Sequence, residues 1–422
     1  MKQVIMMVTT VGVVCLAAVT HNLLTSLRPF QALPDINDNG RCTLRPAGPV
    51  GAEDLVITSS GNWIITSSLD LGHFAEQGVD ACTKETGGLW ALSTQSTTNE
   101  DASLPQSLIL RGMPDSLQAC FQTHGLYFSD TSQRLYVVAH HGYYSSIEIF
   151  SVEENEEEND ETKSTDMSGN ASLAPTLTWI RSVTSPHFPN LALNDVVEGL
   201  DAQELYVTQW IPVSVPAHGR PHPSTWWEWL EQALVKPIFL LGIHGTTVWQ
   251  CTFTDDMDSP ADCRKATSTR FRVANGIAIN ENRTRVYVND VFGYHIGEFE
   301  RDSTTGQLLH FQDIPLKYAV DNIDWKKSKN GDGNEEEEIW MGSIPDLISI
   351  LRNDGKPFED RLTVVGGLGV VRRSATDRSW SPQRIVWHHD GSLLSQISSA
   401  CLHQGKVYMG SAYSKGVLIC DV

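Results

Sequence analysis

Residues 275–290 read NGIAINENRTRVYVND: an Asn-Gly pair, a short apolar strand, a polar turn, and a second strand with Tyr287 between two valines. Short strand-forming runs bounded by Asn, Asp and Gly mark a β-hairpin. The unit occurs five more times: at Glu53-Asp54 (LVITSSGNWIITS), His124-Gly125 (LYFSDTSQRLYVVAH), Asn194-Asp195 (VVEGLDAQELYVTQW), Asp321-Asn322 (IDWKKS, then after an acidic insertion EIWMGS) and Ser398-Ser399 (ACLHQGKVYMGS). Repeats on the order of 50 to 80 residues apart predict four-stranded blades around an axis, with long insertions between them. Later strands of the blades are legible at Ser145–Phe150 and His295–Phe299. The expected architecture is an all-β, six-bladed β-propeller over residues 40–422.

A ring needs its last blade completed by the other end of the chain, or an unpaired edge is left exposed. Cys42 stands before the first repeat and Cys420 near the C-terminus. A Cys42–Cys420 disulfide is therefore expected, closing a very long loop at a gain of about several kcal/mol in the loop-entropy picture. Cys251 and Cys263 flank an Asp-rich segment and suit a second, local bridge. Eight cysteines with no Cys-x-x-Cys pair fit structural disulfides in an oxidising compartment rather than zinc or redox chemistry. Cys15 lies in the leader, which leaves seven, so at least one is free or bonded to another molecule. Cys82, Cys120 and Cys401 have no evident pairing.

In a propeller the innermost strands line a central channel, and residues at their leading ends meet there. Those residues are Glu53, Asp54, Asn194, Asp195, Asn275, Asp321 and Asn322, with no Lys or Arg among them. Carboxylates crowded in a narrow channel repel one another and rise in pKa unless a cation joins them. Oxygen-only donors of this kind suit calcium and not zinc. The second copy departs from the oxygen pattern with His124, and His140 ends the next strand of that blade. Imidazoles beside a Lewis-acidic metal point to metal-assisted hydrolysis. No Gly-x-Ser-x-Gly elbow, Walker loop, His-Glu-x-x-His helix or dinucleotide fingerprint is present.

The formal net charge of −20 excludes a nucleic-acid binder, which needs a clustered basic face. Much of the charge lies in runs 153–161 and 335–338, which read as solvated loops. Residues 1–30, with Lys2 before a largely apolar stretch from Val4 to Val19, read as a signal peptide or a signal anchor retained as a membrane-associating helix. Sequons at Asn170 and Asn282 agree with secretion. A short amphipathic helix is expected from Ser224, with Trp226 and Trp229 on one face, inserted in the third blade as a channel lid or a lipid-surface contact.

These residues make the chain resemble the paraoxonase/arylesterase family. The matching stretches are Cys42 with Glu53-Asp54-Leu55, Phe121-Gln-Thr-His124-Gly, Val137-Val-Ala-His140, Pro189-Asn-Leu-Ala-Leu-Asn194-Asp195, Ala274-Asn275-Gly276-Ile277, Val320-Asp321-Asn322-Ile323 and the terminal Cys420-Asp-Val. The resemblance implies two calcium ions. Glu53, Asn194, Asn275, Asp321 and Asn322 would hold a catalytic one; Asp54, Asp195 and the main-chain carbonyl of Leu126 would hold a structural one. It implies a His124–His140 dyad in which His124 activates water and His140 shuttles the proton, with Glu53 or Asp321 as the alternative base, and lactones or aryl esters as substrates. The chain departs from the family at Ile344, where a histidine is common, and at Tyr413-Ser414-Lys415; both positions would wall the substrate pocket. The alternatives are a calcium-stabilised propeller that only binds a ligand, and a gluconolactonase-type propeller enzyme.

Overall fold

The computed structural model describes residues 20–21, 42–69, 87–95, 104–142, 144–154, 174–189, 191–212, 244–257, 259–329, 335–347, 349, 360–374 and 378–421. Six sheets follow one another along the chain. Blade 1 comprises Leu55–Ile57, Trp63–Ser67, Leu89–Ser93 and Gln106–Ser107, and blade 2 Gln122–Ser129, Arg134–His141, Tyr144–Glu153 and Thr176–Val183, with Leu110–Arg111 added in parallel at its outer edge. Blade 3 comprises Leu193–Glu198, Glu204–Gln209, Thr247–Thr252 and Asp262–Lys265, and blade 4 Ala274–Ile279, Arg285–Asp290, His295–Arg301 and Leu308–Pro315. Blade 5 comprises Ala319–Lys329, Glu335–Ile344, Gly366–Arg373 and Arg384–His389. Blade 6 pairs Ser399–His403 and Cys42–Ala52 with the long segment Lys406–Asp421 between them.

The first strand of every blade touches the first strands of both neighbours, so the ring is closed. Successive side chains of a strand point to opposite faces, and each face here meets a neighbouring blade. In blade 2, Leu135 and Val137 pack toward blade 1 with Trp63 and Ile65, whereas Tyr136 and Val138 pack toward blade 3 with Leu205 and Val207. The remaining four junctions are filled in the same way. The core is thus a ring of six apolar seams, and cutting a fully buried Leu205 back to Ala costs about 2–5 kcal/mol in such packing. Buried ion pairs cross the seams at polar positions, with Glu198 of blade 3 held by Arg283 of blade 4 at 2.6 Å and Glu298 of blade 4 by Arg373 of blade 5 at 3.1 Å.

Cys42 is bonded to Cys420 and Cys251 to Cys263. Cys120 is also disulfide-bonded, and Cys401 is a buried free thiol. One expectation is corrected. Glu335–Glu338 is not a solvated loop but opens the second strand of blade 5, because Lys326 and Lys327 stand opposite Glu338 and Glu337 in the ladder, and Arg372 and Arg373 bind the same two glutamates. Asn282 lies exposed on the turn before Arg285. Asn170, the Trp226–Trp229 segment and nearly all of residues 1–30 fall outside the described residues. Among those described, no helix is long and apolar enough to cross a membrane.

Candidate active site

The polar pairs expected ahead of the inner strands lie within them in blades 2 to 5. At each the ladder skips: between Thr123 and Leu126, Leu193 and Val196, Ala274 and Ile277, and Val320 and Ile323. A β-bulge takes residues out of the pairing and re-aims their side chains, and here it turns His124, Asn194-Asp195, Asn275 and Asp321-Asn322 out of the sheets. Neighbouring blades press together at these bulges. A Cβ on Gly125 would come 2.5 Å from the Asp195 Cα, and one on Gly276 2.8 Å from the Asn322 Cα. The backbone approach that glycine permits lets an amide reach the carboxylate of an adjacent blade: Leu126 donates its N–H to Asp54 at 2.7 Å and Ile277 to Asp195 at 2.8 Å. Leu55 and Val196 donate to the other oxygens of the same two carboxylates. The contact seen between Leu126 and Asp54 thus uses the N–H of Leu126.

Glu53, Asn194, Asn275, Asp321 and Asn322 are all buried. Asn322 donates its amide to Glu53 Oε1 at 2.8 Å, and Asn275 binds Asp321. What these bonds leave over is informative: Glu53 Oε2, Asn194 Oδ1, Asn275 Oδ1 and Asn322 Oδ1 are buried oxygens with no hydrogen-bond partner. Buried polar atoms are ordinarily satisfied, so four unsatisfied acceptors at four blade starts fit an oxygen-seeking cation. Crowding shows in the carboxylates. Glu53 is raised well above its ordinary value by burial and then by Asp321 and Asp54, against the Asn322 hydrogen bond. Burial pushes Asp54 and Asp321 each up to about 7, and Asp195 well above its usual range with Asp54 adding to it. Among the described residues no three His, Cys, Asp or Glu side chains form a cage that could hold a metal ion. The unsatisfied atoms are all oxygens, the donor type that calcium accepts.

His124 borders this cluster. Its Nε2 lies 3.3 Å from Asn194 Nδ2 and 3.6 Å from Glu53 Oε1, and its Nδ1 lies 3.1 Å from Nε2 of His140. Burial drives His124 down to about 3 and His140 well below its ordinary value, where His124 and His141 add to the effect. Burial therefore disfavours the protonated form of both rings.

Sequence reasoning missed the groups that hold the bulges in place. The Asp54 and Asp195 amides bond Ser67 Oγ and Thr208 Oγ1, Ser398 donates to the Glu53 carbonyl, and the Asn289 amide binds the carbonyls of Val320 and Asp321. They sit on other strands or at the start of blade 6 and carry no spacing signal. Ile344, expected to wall the substrate pocket, is buried and packs with Val273, Val291, Tyr294, Ala319 and Leu347.

No family model matches the chain. It resembles human serum paraoxonase/lactonase 3, at 24% identity over 377 residues, which is 88% of this chain and 86% of that one. It resembles the rabbit (Oryctolagus cuniculus) protein of the same name at 24% over 408 residues, 95% of both chains. Solved structures give weaker likenesses: a gluconolactonase from Xanthomonas campestris has 14% identity and a TM-score of 0.41 over 90% of this chain and 88% of that one. A luciferin-regenerating enzyme has 10% identity and a TM-score of 0.42 over 90% and 95%. The likeness to the serum paraoxonases extends over most of the chain.

Proposed function

We propose that this protein is a calcium-dependent hydrolase of lactones and aryl esters, acting in the secretory pathway or outside the cell. The observation that carries the reading is the set of four unsatisfied buried oxygens next to a pair of buried, hydrogen-bonded histidines. Glu53, Asn194, Asn275, Asp321 and Asn322 would hold one calcium; Asp54 and Asp195, with Leu126, would hold a second that ties blades 1 to 3 together. When bound, calcium supplies Lewis acidity and positive charge for a polarised ester carbonyl. The protein's own part is acid–base work and orientation. His124 presents Nε2 to the channel, takes a proton from water, and is backed by His140. The bulges hold His124 and the oxygens in fixed relation, so little reorganisation is needed as charge develops.

The likeness to proteins named paraoxonase/lactonase supports ester chemistry. A module that only binds ligand has no use for a buried histidine pair hydrogen-bonded beside unsatisfied oxygens. The test is a panel of alkyl lactones, sugar lactones and aryl esters, assayed with calcium and with chelator. Turnover of alkyl lactones and aryl esters that chelator abolishes and calcium restores is expected. No hydrolysis of any member by calcium-loaded protein rejects the enzyme reading.

A further inference from the structure

In blades 2 to 5 one residue of the second strand faces the bulge. Val138, Thr208, Asn289 and Gly342 stand where the ladder skips His124-Gly125, Asn194-Asp195, Asn275-Gly276 and Asp321-Asn322. The occupant of this position differs from blade to blade. Thr208 turns its hydroxyl to its own bulge and accepts the Asp195 N–H at 3.0 Å. Gly342 has no side chain, and the backbone of Ser398 from blade 6 fills the space that a Cβ would need. Asn289 reaches into the next blade: its Nδ2 donates to the carbonyls of both Val320 and Asp321, at 2.6 and 2.9 Å.

Consecutive carbonyls of a regular strand point to opposite sides of it, and one amide nitrogen cannot reach both. At a bulge the first residue leaves the extended conformation, and the two carbonyls can turn the same way. The two-pronged bond from Asn289 is therefore open to a bulged strand and closed to a regular one. Both partners are carbonyl oxygens, so the amide nitrogen must face them and the amide oxygen is left over. Asn289 is fully buried, and its Oδ1 has no partner. A buried acceptor without a partner is destabilising. An apolar side chain such as the Val138 of blade 2 would avoid that cost, so the amide stands here for what its nitrogen does. From the first strand of blade 4, Gly276 lies against the same turn, with the Asp321 carbonyl 2.7 Å from the place of its missing Cβ. Two strands of blade 4 thus grip the bulge of blade 5.

Resting on the reading of the oxygen cluster as a calcium site, we propose that Asn289 is a positioning residue for that site. Its amide holds the blade 5 bulge in the conformation that brings Asn322 to Glu53 and Asp321 to Asn275. It acts through the main chain of Val320 and Asp321 and contributes no ligand of its own.

The test borrows residues that this protein itself places at the equivalent position. Asn289→Val, as in blade 2, removes the donor together with the unpartnered oxygen; Asn289→Thr, as in blade 3, leaves one hydroxyl for two carbonyls. Wild type and both variants are titrated with calcium and with terbium, an oxygen-seeking ion read by luminescence, and melted in chelator. Loss of a group that orients ligands weakens metal binding about 10- to 100-fold. That loss is expected in Asn289→Val and a smaller one in Asn289→Thr, while the metal-free melting temperatures stay close to wild type. Terbium lifetimes in light and heavy water count the waters on the ion, and Asn289→Val should gain water as blade 5 oxygens withdraw. A residue that only fills space would change stability and leave affinity and ion hydration alone. Wild-type affinity in either folded variant overturns the proposal. Failure of both variants to fold also overturns it, because Asn289 would then belong to the fold rather than to the site. A wild-type protein that binds neither calcium nor terbium removes the metal reading itself, and the proposal with it.

Discussion

At His124 the two ring nitrogens face different tasks, one toward Glu53 and Asn194 and the other toward His140, so a single substitution separates proton transfer from metal binding. His124→Gln keeps a polar group of similar reach and removes the base. Its fold, melting temperature and calcium content should match wild type while lactone turnover falls about 100-fold or more; stopped-flow or plate assays beside elemental analysis check this. Full activity in a folded, calcium-loaded variant would move the base to a carboxylate such as Glu53. Residues of this kind are legible in the sequence, since Glu53, Asn194, Asn275 and Asp321 each head a repeat and topology alone brings repeat heads together. The hydrogen bond between Ser145 Oγ and His140 Nδ1, at 3.0 Å, is not legible, because it arises from hairpin register and not from a repeat head.

Among the elements, the bulge is the feature that makes an ordinary inner strand into a ligand holder. The repeat pattern located these positions but placed them before the strands, because alternation in the sequence does not reveal where a ladder skips. The flanking glycine is the sensitive point. Gly276→Ala puts a methyl against the Asn322 backbone, and overpacking of that sort costs about 1–3 kcal/mol. The strain falls between two candidate ligands, Asn275 and Asn322, so calcium affinity should weaken along with stability. Chemical denaturation and a calcium titration of the variant measure the two effects; unchanged values for both would mean that the blades do not meet as closely here as described. The acidic run at 335–338 was misread for a related reason, since its lysine partners lie across a hairpin and only the register unites them.

For the whole molecule, the channel carboxylates set how stability answers to pH once metal is stripped. Asp54 and Asp321 move from an ordinary 3.8 to about 7, and Glu53 and Asp195 are raised as well. A raised carboxyl value means that the folded chain holds protons the unfolded chain has lost. That stabilisation is fully present below the unfolded value and is lost as pH rises through the folded one. In chelator the melting temperature should therefore fall between about pH 5 and 8, and calcium should flatten the slope by binding the ionised form. A chelated protein that grows more stable over that interval would show that these groups are already paired. The blade count, the ring and the Cys42–Cys420 bond were all legible, because repeat number and the position of the terminal cysteines suffice. The seams, in which odd and even residues of one strand serve different neighbours, were not, because alternation does not say which blade each face meets.

Blade 6 draws Cys42–Ala52 from near the start of the chain and Ser399–His403 and Lys406–Asp421 from its end, which gives synthesis a direction. While the ribosome adds blades 1 to 5, the early strand has no partner. The seam faces bordered by Ile64 on one side and Trp387 on the other stay uncovered until the final strands emerge. Both are sealed in the same late step, and nascent chains are open to chaperones or to one another until then. A premature stop before Lys406 would therefore not trim a tail. It would release an arc with two sticky ends, a species fit for degradation or aggregation rather than a smaller propeller.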